Sequence, residues 1–352
     1  MILFRYILRE IAVAFVLMFV PVTFVSLVAM IFQVMKLAPS TGLGLVVEAV
    51  PIVLAYMGPW VLALATCAGT TLAYGRMSAE NELDAIITSG VHPRALFTPA
   101  IAFGLLLCGA AYLLSAYGSP TARYHRRVLL RKVWLHVLQA PPQGNQTFKL
   151  WGKYTLSYVN SENGVLERPL VVENLSEGGY RESFAKSGRF VLRGNEPPMI
   201  ILVNGEMWET TPTSRRRISG EGDIRVSFDI DNLYERANVA SELSSRELLA
   251  RAARDPGNRA EMMSEYHARF ARGATPLFLI SIGAAIGIFV RRGSRLAGLG
   301  ASVPPFLLYV LLELVFVSLG NHGRIPPPAA AWAPNAIVGA AAAPLLWKIL
   351  RR

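Results

Sequence analysis

Two carboxylates, Glu80 and Glu82, adjoin the apolar residues Leu83, Ile86 and Ile87 in a sequence that is otherwise poor in charge. At 100° per residue the three apolar side chains share one face of a helix, with Glu82 at its border. A carboxylate at the edge of apolar surface can form a strong charge-assisted hydrogen bond with an arginine of another protein. The pattern therefore predicts a docking surface for a partner. The alternative is an interfacial helix that buries its apolar face in lipid and whose acids only complement the helix dipole.

Four basic residues, Lys36, Arg123, Arg126 and Arg127, follow the ends of two long uncharged runs. If both runs cross a membrane, the four side chains reach the same side of it. Such a ring suits the phosphate groups of a lipid headgroup, because each arginine can donate two parallel hydrogen bonds to a phosphate. The alternative is that these residues only anchor helix ends by extending their charged groups toward water.

A single carboxylate, Glu313, lies inside a long apolar stretch. An ionised side chain is costly at that depth and usually faces a cavity or a partner group. Two interpretations stay open: a hydrogen-bonded structural acid, or a residue that takes part in gating or in pairing with another protein.

The composition indicates a membrane protein. Hydrophobic residues make up 53% of the chain and charged residues only 17%, against about 25% charged in ordinary soluble proteins. Uncharged runs cover 11–35, 49–75, 95–122, 273–290, 296–312 and 325–347. A helix needs roughly 20 apolar residues to cross the hydrocarbon core. The sequence therefore predicts six transmembrane helices, the fifth of which continues past Glu313.

The distribution of basic residues predicts the orientation. If both termini are cytoplasmic, the short outer segments hold only Lys36 and Arg324. The short inner segments then hold the other ten flanking residues: Arg5, Arg9, Arg76, Arg94, Arg291, Arg292, Arg295, Lys348, Arg351 and Arg352. This excess agrees with the positive-inside rule and places the long segment 123–272 outside. The net charge of +11 therefore needs no nucleic-acid partner.

The long outer segment has the pattern of short strands. Runs rich in β-branched and aromatic residues, separated by turn residues, cover 153–159, 169–173, 189–192, 199–203 and 224–230. This pattern is typical of an all-β sandwich or jelly roll. From Ser241 the pattern becomes helical, with Ser244 or Ser245 as the N-cap and a break at 255–257.

The acidic segment between the second and third spans is predicted to be a short helix over about 77–90. Ser78 can cap its N-terminus, and Gly90 with Pro93 can end it. The predicted fold class is thus an α-helical polytopic membrane protein with six transmembrane helices and an inserted all-β, jellyroll-like outer domain.

Several motifs of the sequence together resemble those of one protein family. The most specific is the stretch Gly75-Arg76-Met77-Ser78-Ala79-Glu80-Asn81-Glu82-Leu83, followed by Ser89-Gly90-Val91. Others are Phe4-Arg5-Tyr6-Ile7 at the start, the run from Glu265 to Phe270 at the entry to the fourth span, the last outer loop, 323–327, and the segment 332–335. With these motifs the chain resembles the LptF/LptG (YjgP/YjgQ) lipopolysaccharide-export permeases over essentially its whole length.

The resemblance implies a permease subunit of an ABC transporter in the bacterial inner membrane, with a periplasmic β domain. Its implied partners are a second permease of the family, a dimeric cytoplasmic ATPase, a periplasmic bridge protein and lipopolysaccharide as the transported lipid. Glu82 matches the glutamate that the family's coupling helix presents to the ATPase, with Glu80 beside it and Leu83, Ile86 and Ile87 as packed surface. Positive residues at places similar to Lys36, Arg123 and Arg126 line the family's lipid cavity.

The sequence lacks three motifs that are typical of enzymes. It contains no Gly-x-x-x-x-Gly-Lys-Ser/Thr phosphate loop, no His-Glu-x-x-His and no Gly-x-Ser-x-Gly, so we expect no ATPase site, metal, cofactor or catalytic residue in this chain. Both cysteines, Cys67 and Cys108, fall in apolar spans, where a packed thiol is expected rather than a disulfide. A membrane-anchored periplasmic scaffold or assembly factor without transport activity is the alternative function.

These observations predict the following organisation. Transmembrane helices 1 to 3 occupy 1–122 and include the coupling helix of about 77–90. A periplasmic β domain follows over 123–240, connecting helices over 241–272, and transmembrane helices 4 to 6 over 273–352.

Overall fold

A computed structural model describes residues 2–37, 43–139, 141–150, 153–175, 179–192, 198–212, 214–228, 239–289 and 295–351. The chain divides into two compact units. The helical unit comprises Met1–Ile31, Glu48–Arg126 and Asn238–Arg352, and the β unit comprises Phe32–Val47 and Arg127–Ala237. The inserted domain thus begins later and ends slightly earlier than the predicted limits of 123 and 240.

Helices make up the first unit and the start of the second. They are α1 (Ile2–Leu37), α2 (Leu43–Ala79), α3 (Glu82–Thr88), α4 (Arg94–Leu113), α5 (Ser119–Gln139), α6 (Ser245–Arg254), α7 (Arg259–Phe289), α8 (Arg295–Asn321) and α9 (Pro327–Leu350). A π-helical turn, Leu114–Gly118, joins α4 to α5, and a 3₁₀ turn, Ala240–Glu242, precedes α6.

Six of the helical segments described are long and apolar enough to cross a membrane, as predicted. They are Ile2–Phe32, Val47–Ala79, Arg94–Leu129, Arg259–Phe289, Gly300–Asn321 and Pro327–Leu350. The most apolar part of α7 is 61% buried, against 17% for α1 and for α8. Helix α7 is therefore the centre of the bundle, whereas α1 and α8 expose most of their apolar surface.

Glycines allow α2 and α7 to approach closely. A Cβ atom on Gly283 would lie 2.7 Å from the carbonyl oxygen of Cys67, and one on Gly287 would lie 2.7 Å from that of Thr71. No side chain fits at these distances, so the two backbones are in direct contact.

The described part of the β unit contains nine antiparallel strands. They are β1 (Gln146–Leu150), β2 (Tyr154–Tyr158), β3 (Asn160–Glu162), β4 (Val165–Glu167), β5 (Leu170–Asn174), β6 (Tyr180–Phe184), β7 (Ser187–Val191), β8 (Met199–Thr210) and β9 (Arg215–Ser227). One edge of β8 pairs with β7 along Met199–Val203 and with β6 along Glu206–Thr210, while the other edge pairs with β9. This arrangement confirms the inserted β domain.

Two series of strands extend from the long strand β8, which therefore connects the two halves of the sheet. One series is β6, β5, β2 and β1, and the other is β7, β4 and β3. Apolar side chains that alternate along these strands form the core: Phe148, Tyr154, Leu156, Tyr158, Leu166, Val171, Ile200, Leu202, Ile224 and Phe228.

The acidic segment, predicted as one helix over about 77–90, differs from that prediction at its N-terminal end. Helix α2 continues to Ala79, so Ser78 does not cap the short helix but donates a hydrogen bond to the carbonyl oxygen of Ile288 at 3.1 Å. The N-cap of α3 is Asn81, which turns the chain with a φ of 57°. At the other end Gly90 has a φ of 85°, and its N–H donates to the carbonyl oxygen of Ile87.

The connecting region after the β unit begins with a capping box. The hydroxyl of Ser244, rather than Ser245, accepts the N–H of Glu247, and the Glu247 carboxylate accepts the N–H of Ser244. Asp255 ends α6, and the side-chain amide of Asn258 donates to its carboxylate, which lowers the pKa of Asp255. Apolar residues of α6 and of the start of α7 then pack together, among them Leu243, Leu248 and Met262.

Candidate functional site

Five polar side chains form a network around Arg76 at the end of α2. The Arg76 guanidinium lies 2.8 Å from Glu10 Oε2, 2.8 Å from Glu80 Oε2 and 3.6 Å from Glu82 Oε1. The Tyr6 hydroxyl donates to Glu82 Oε2 at 2.7 Å and accepts from Arg76 Nη2 at 3.1 Å. The network therefore connects α1, α2 and the first residue of α3.

The apolar face of α3 packs mainly on the chain's own helices. Leu83 is only 3% exposed and belongs to the cluster that contains Ile7 and Met77. In the chain itself Leu83 is therefore covered by residues of α1 and α2. Ile86 and Ile87 pack against the same cluster but keep part of their surface.

The carboxylates beside α3 stay accessible. The side chain of Glu82 is 29% exposed and that of Glu80 is 47% exposed. A helix pattern cannot show whether an apolar stripe faces lipid, a partner or the same chain. The sequence alone therefore could not show that Leu83 packs inside the chain. The surface that α3 offers is thus acidic, with the partly exposed Ile86 and Ile87 beside it.

An apolar cavity of about 600 Å³ lies between α1, α2 and the end of α4. Its walls are Phe19, Thr23, Ser26 and Leu27 of α1, residues between Pro51 and Leu62 of α2, and Ala110 and Leu114. The π-helical turn closes part of the wall, because Leu114 packs against Gly58 and Ser119 donates a hydrogen bond to the carbonyl oxygen of Ala55 at 3.3 Å. Such a lining can accept hydrocarbon but offers little to a polar ligand.

Two of the predicted basic residues stack on Tyr56, whose neighbours in the sequence line this cavity. The guanidinium carbon of Arg123 is 5.3 Å from the centre of the Tyr56 ring, and that of Arg126 is 4.8 Å from it. Tyr56 stands between Ala55 and Met57, which both line the cavity. Stacking on one ring holds the two charges together.

The other two predicted basic residues are not added to this pair. Arg127 belongs to the β unit. The side chain of Lys36 lies outside the described residues, although its backbone is part of α1. The structure therefore assembles two of the four predicted residues, Arg123 and Arg126, around Tyr56.

Glu313 is buried and paired, and the sequence did not reveal its partner. Arg272 Nε donates to Glu313 Oε1 at 2.6 Å and joins α7 to α8. Arg272 also donates to both carboxylate oxygens of Glu265, at 3.3 and 3.2 Å. Only the position of Arg272, seven residues after Glu265 and so on the same face of α7, could have indicated part of this cluster.

Arg269 completes this cluster and is fully buried. Its guanidinium donates to Glu265 at 3.2 Å, to the hydroxyl of Ser245 at 3.3 Å and to the carbonyl oxygens of Ala240 and Leu243 at 3.4 and 2.7 Å. These bonds fasten the start of the connecting region to α7.

The β unit contains a smaller pocket, of about 240 Å³, that is lined by Tyr154, Glu173 and Arg181 among others. Glu173 accepts from Lys153 at 3.0 Å and from Arg181 at 3.1 Å, and Arg181 also contacts Glu209 at 2.9 Å. The hydrogen bond with Glu173 raises the pKa of Lys153. Two carboxylates, Glu173 and Glu209, therefore pair with the two cations Lys153 and Arg181 at this pocket.

None of the curated proteins compared with the chain matches it. A family model does match, the one described as lipopolysaccharide export system permease LptF/LptG, over residues 5–348. The match covers both the six spans and the inserted β unit. The chain therefore belongs to the LptF/LptG family of lipopolysaccharide export permeases.

Proposed function

We propose that this chain is one permease half of an ABC transporter that extracts lipopolysaccharide from the outer leaflet of the inner membrane. The observation that carries the proposal is the pair Arg123 and Arg126, stacked on Tyr56 beside an apolar cavity of about 600 Å³. Lipopolysaccharide combines hydrocarbon chains with phosphate groups. An apolar cavity with two guanidinium groups next to it supplies complementary surface for both parts.

In this proposal acyl chains enter between α1 and α2, and the lipid phosphates bind the two arginines. Arginine matches phosphate geometry better than lysine does, because its planar group can donate two parallel hydrogen bonds. Arg123 supports such a role, since its Nε atom is buried without a hydrogen-bond partner among the described residues. We propose Lys36 as a further headgroup contact and Arg127 as a weaker one.

We propose that ATP hydrolysis occurs in a separate cytoplasmic dimer that docks on α3. Glu82 is the main contact for an arginine of that ATPase, Ile86 and Ile87 add apolar surface, and Glu80 is peripheral. The accessible carboxylates support this assignment, because net negative charge is disfavoured beside an anionic inner leaflet and favours a basic protein surface.

The orientation proposed here has both termini and α3 in the cytoplasm and the β unit in the periplasm, on the basis of the ten-to-two basic count. Single cysteines at the exposed positions Ser89 and Asn163, in a chain without Cys67 and Cys108, test it. In intact spheroplasts an impermeant maleimide should label only the cysteine at 163. Labelling at 89 and not at 163 would contradict the orientation.

A second permease of the family completes the cavity in this proposal, and the β unit passes the lipid to a periplasmic bridge protein. A scaffold without transport activity would need neither the ATPase nor the lipid. Affinity purification of the tagged chain from its native membrane separates the two functions. We expect the ATPase, a second permease and lipopolysaccharide in the purified complex, whereas bulk phospholipid and no ATPase would favour the scaffold.

A further inference from the structure

The network around Arg76 includes three residues to which the proposed function gives no role, Tyr6, Glu10 and Arg76 itself. We propose that they are positioning residues that couple α3 to α1, so that binding of an arginine of the ATPase at Glu82 changes the position of α1 at the lipid cavity. The inference rests on the proposed function and adds the route by which docking acts on the cavity.

Helix α1 contacts both places that have to be connected. Near its start Tyr6 bonds to Glu82 and Glu10 bonds to Arg76, and further along Phe19, Thr23, Ser26 and Leu27 line the cavity. From Tyr6 to Thr23 the helical rise of about 1.5 Å per residue gives roughly 26 Å. One continuous helix therefore extends from the acidic network to the cavity wall.

The first part of α1 is more buried than the part beside the cavity, as such coupling requires. Ile7 and Ile11 are fully buried, in the same cluster as Leu83 of α3. Val16, Val20 and Phe24 are 54%, 59% and 65% exposed. The inner end of α1 is thus held against α2 and α3, while one face of the part beside the cavity is exposed.

The charges of the network leave room for another cation. Among the described contacts, the three carboxylates of Glu10, Glu80 and Glu82 share the guanidinium of Arg76. A second guanidinium at Glu82 would be a stronger donor than the neutral hydroxyl of Tyr6, because charge-assisted hydrogen bonds between two ions are the stronger ones. Its arrival would take Glu82 Oε2 from Tyr6 and remove the hydrogen bond that joins the start of α1 to α3.

The Tyr6→Phe variant tests the inference because it removes one hydroxyl and keeps Glu82, Arg76 and the packing. The readouts are ATPase recovered with the tagged permease, and capture of lipopolysaccharide by a photoreactive residue at Leu54, which lines the cavity, with and without ATP. In Tyr6→Phe we expect unchanged ATPase recovery and about a tenfold smaller ATP-dependent change in capture, since a hydrogen bond to a charged group is lost. The matched control is Tyr117→Phe, at a tyrosine that is 66% exposed, and it should behave as the unmodified chain.

Three results would overturn the inference, and the last of them would also overturn the proposed function. An ATP response in Tyr6→Phe equal to that of the control would show that the hydroxyl transmits nothing. Loss of the ATPase from Tyr6→Phe would make Tyr6 a docking residue instead. Lack of any ATP response in the unmodified chain would contradict the proposed function, and this inference with it.

Discussion

Glu82→Arg will release the ATPase from the permease while the chain stays inserted and folded. Removing one partner of a desolvated ion pair costs roughly 2 to 5 kcal/mol, and the new charge adds repulsion. We expect the recovered ATPase to fall by more than tenfold and export to stop. The measurement is the ratio of ATPase to permease after affinity purification, together with export of lipopolysaccharide in cells that depend on the variant.

Glu80→Arg is the matched control for this change. Both carboxylates contact Arg76, Glu80 at 2.8 Å and Glu82 at 3.6 Å, so both variants disturb the same intramolecular network. Only Glu82 is assigned the contact with the ATPase. Equal effects of the two substitutions would contradict that assignment, whereas rescue of Glu82→Arg by an arginine-to-glutamate change in the ATPase would support it.

Arg269→Met will strongly destabilise the helical unit. The variant removes four hydrogen bonds and leaves the carbonyl oxygens of Ala240 and Leu243 without this donor. Breaking a buried ion pair by removing one partner costs about 3 to 5 kcal/mol. We expect the connecting region to detach from α7 and the purified protein to aggregate at a markedly lower temperature.

Arg246→Met is the matched control, because Arg246 is an exposed arginine on α6. The two variants remove the same charge and should differ only through the buried contacts. Thermal aggregation followed by size-exclusion chromatography measures the difference. Identical aggregation temperatures would show that the buried cluster adds nothing to stability.

The six spans could be predicted because the length of an apolar run is a direct physical requirement of the bilayer. The strands β2, β5 and β7 were predicted from alternation and turns, and β8 and β9 only in part. The pairing of β8 with three other strands could not be predicted, because register depends on contacts between distant residues. The inserted part of the β unit begins at Arg127 rather than at 123, inside helix α5, and the basic, turn-free sequence of that helix contains no signal for a domain boundary.

The residue types of the candidate site could be predicted from the sequence, but the contacts between these residues could not. Glu82 and the stripe beside it could be found from helical spacing, yet its contact with Tyr6 joins residues 76 positions apart. The pair of Arg272 and Glu313 likewise joins residues 41 positions apart. Stacking of Arg123 and Arg126 on Tyr56 follows from the packing of α5 beside α2, which no local pattern encodes.

We propose that the cavity beside Arg123 and Arg126 holds lipopolysaccharide during ATP-driven export. The most direct measurement is photo-crosslinking from Leu54, in the cavity wall, compared with Leu106, which is 66% exposed and not part of that lining. We expect lipopolysaccharide to be captured at 54 in an ATP-dependent way, to be captured far less at 106, and to be lost from 54 in the double variant Arg123→Gln, Arg126→Gln with the complex intact. Capture of bulk phospholipid alone at both positions, unaffected by ATP or by the double variant, would contradict the claim and leave the two arginines as membrane anchors.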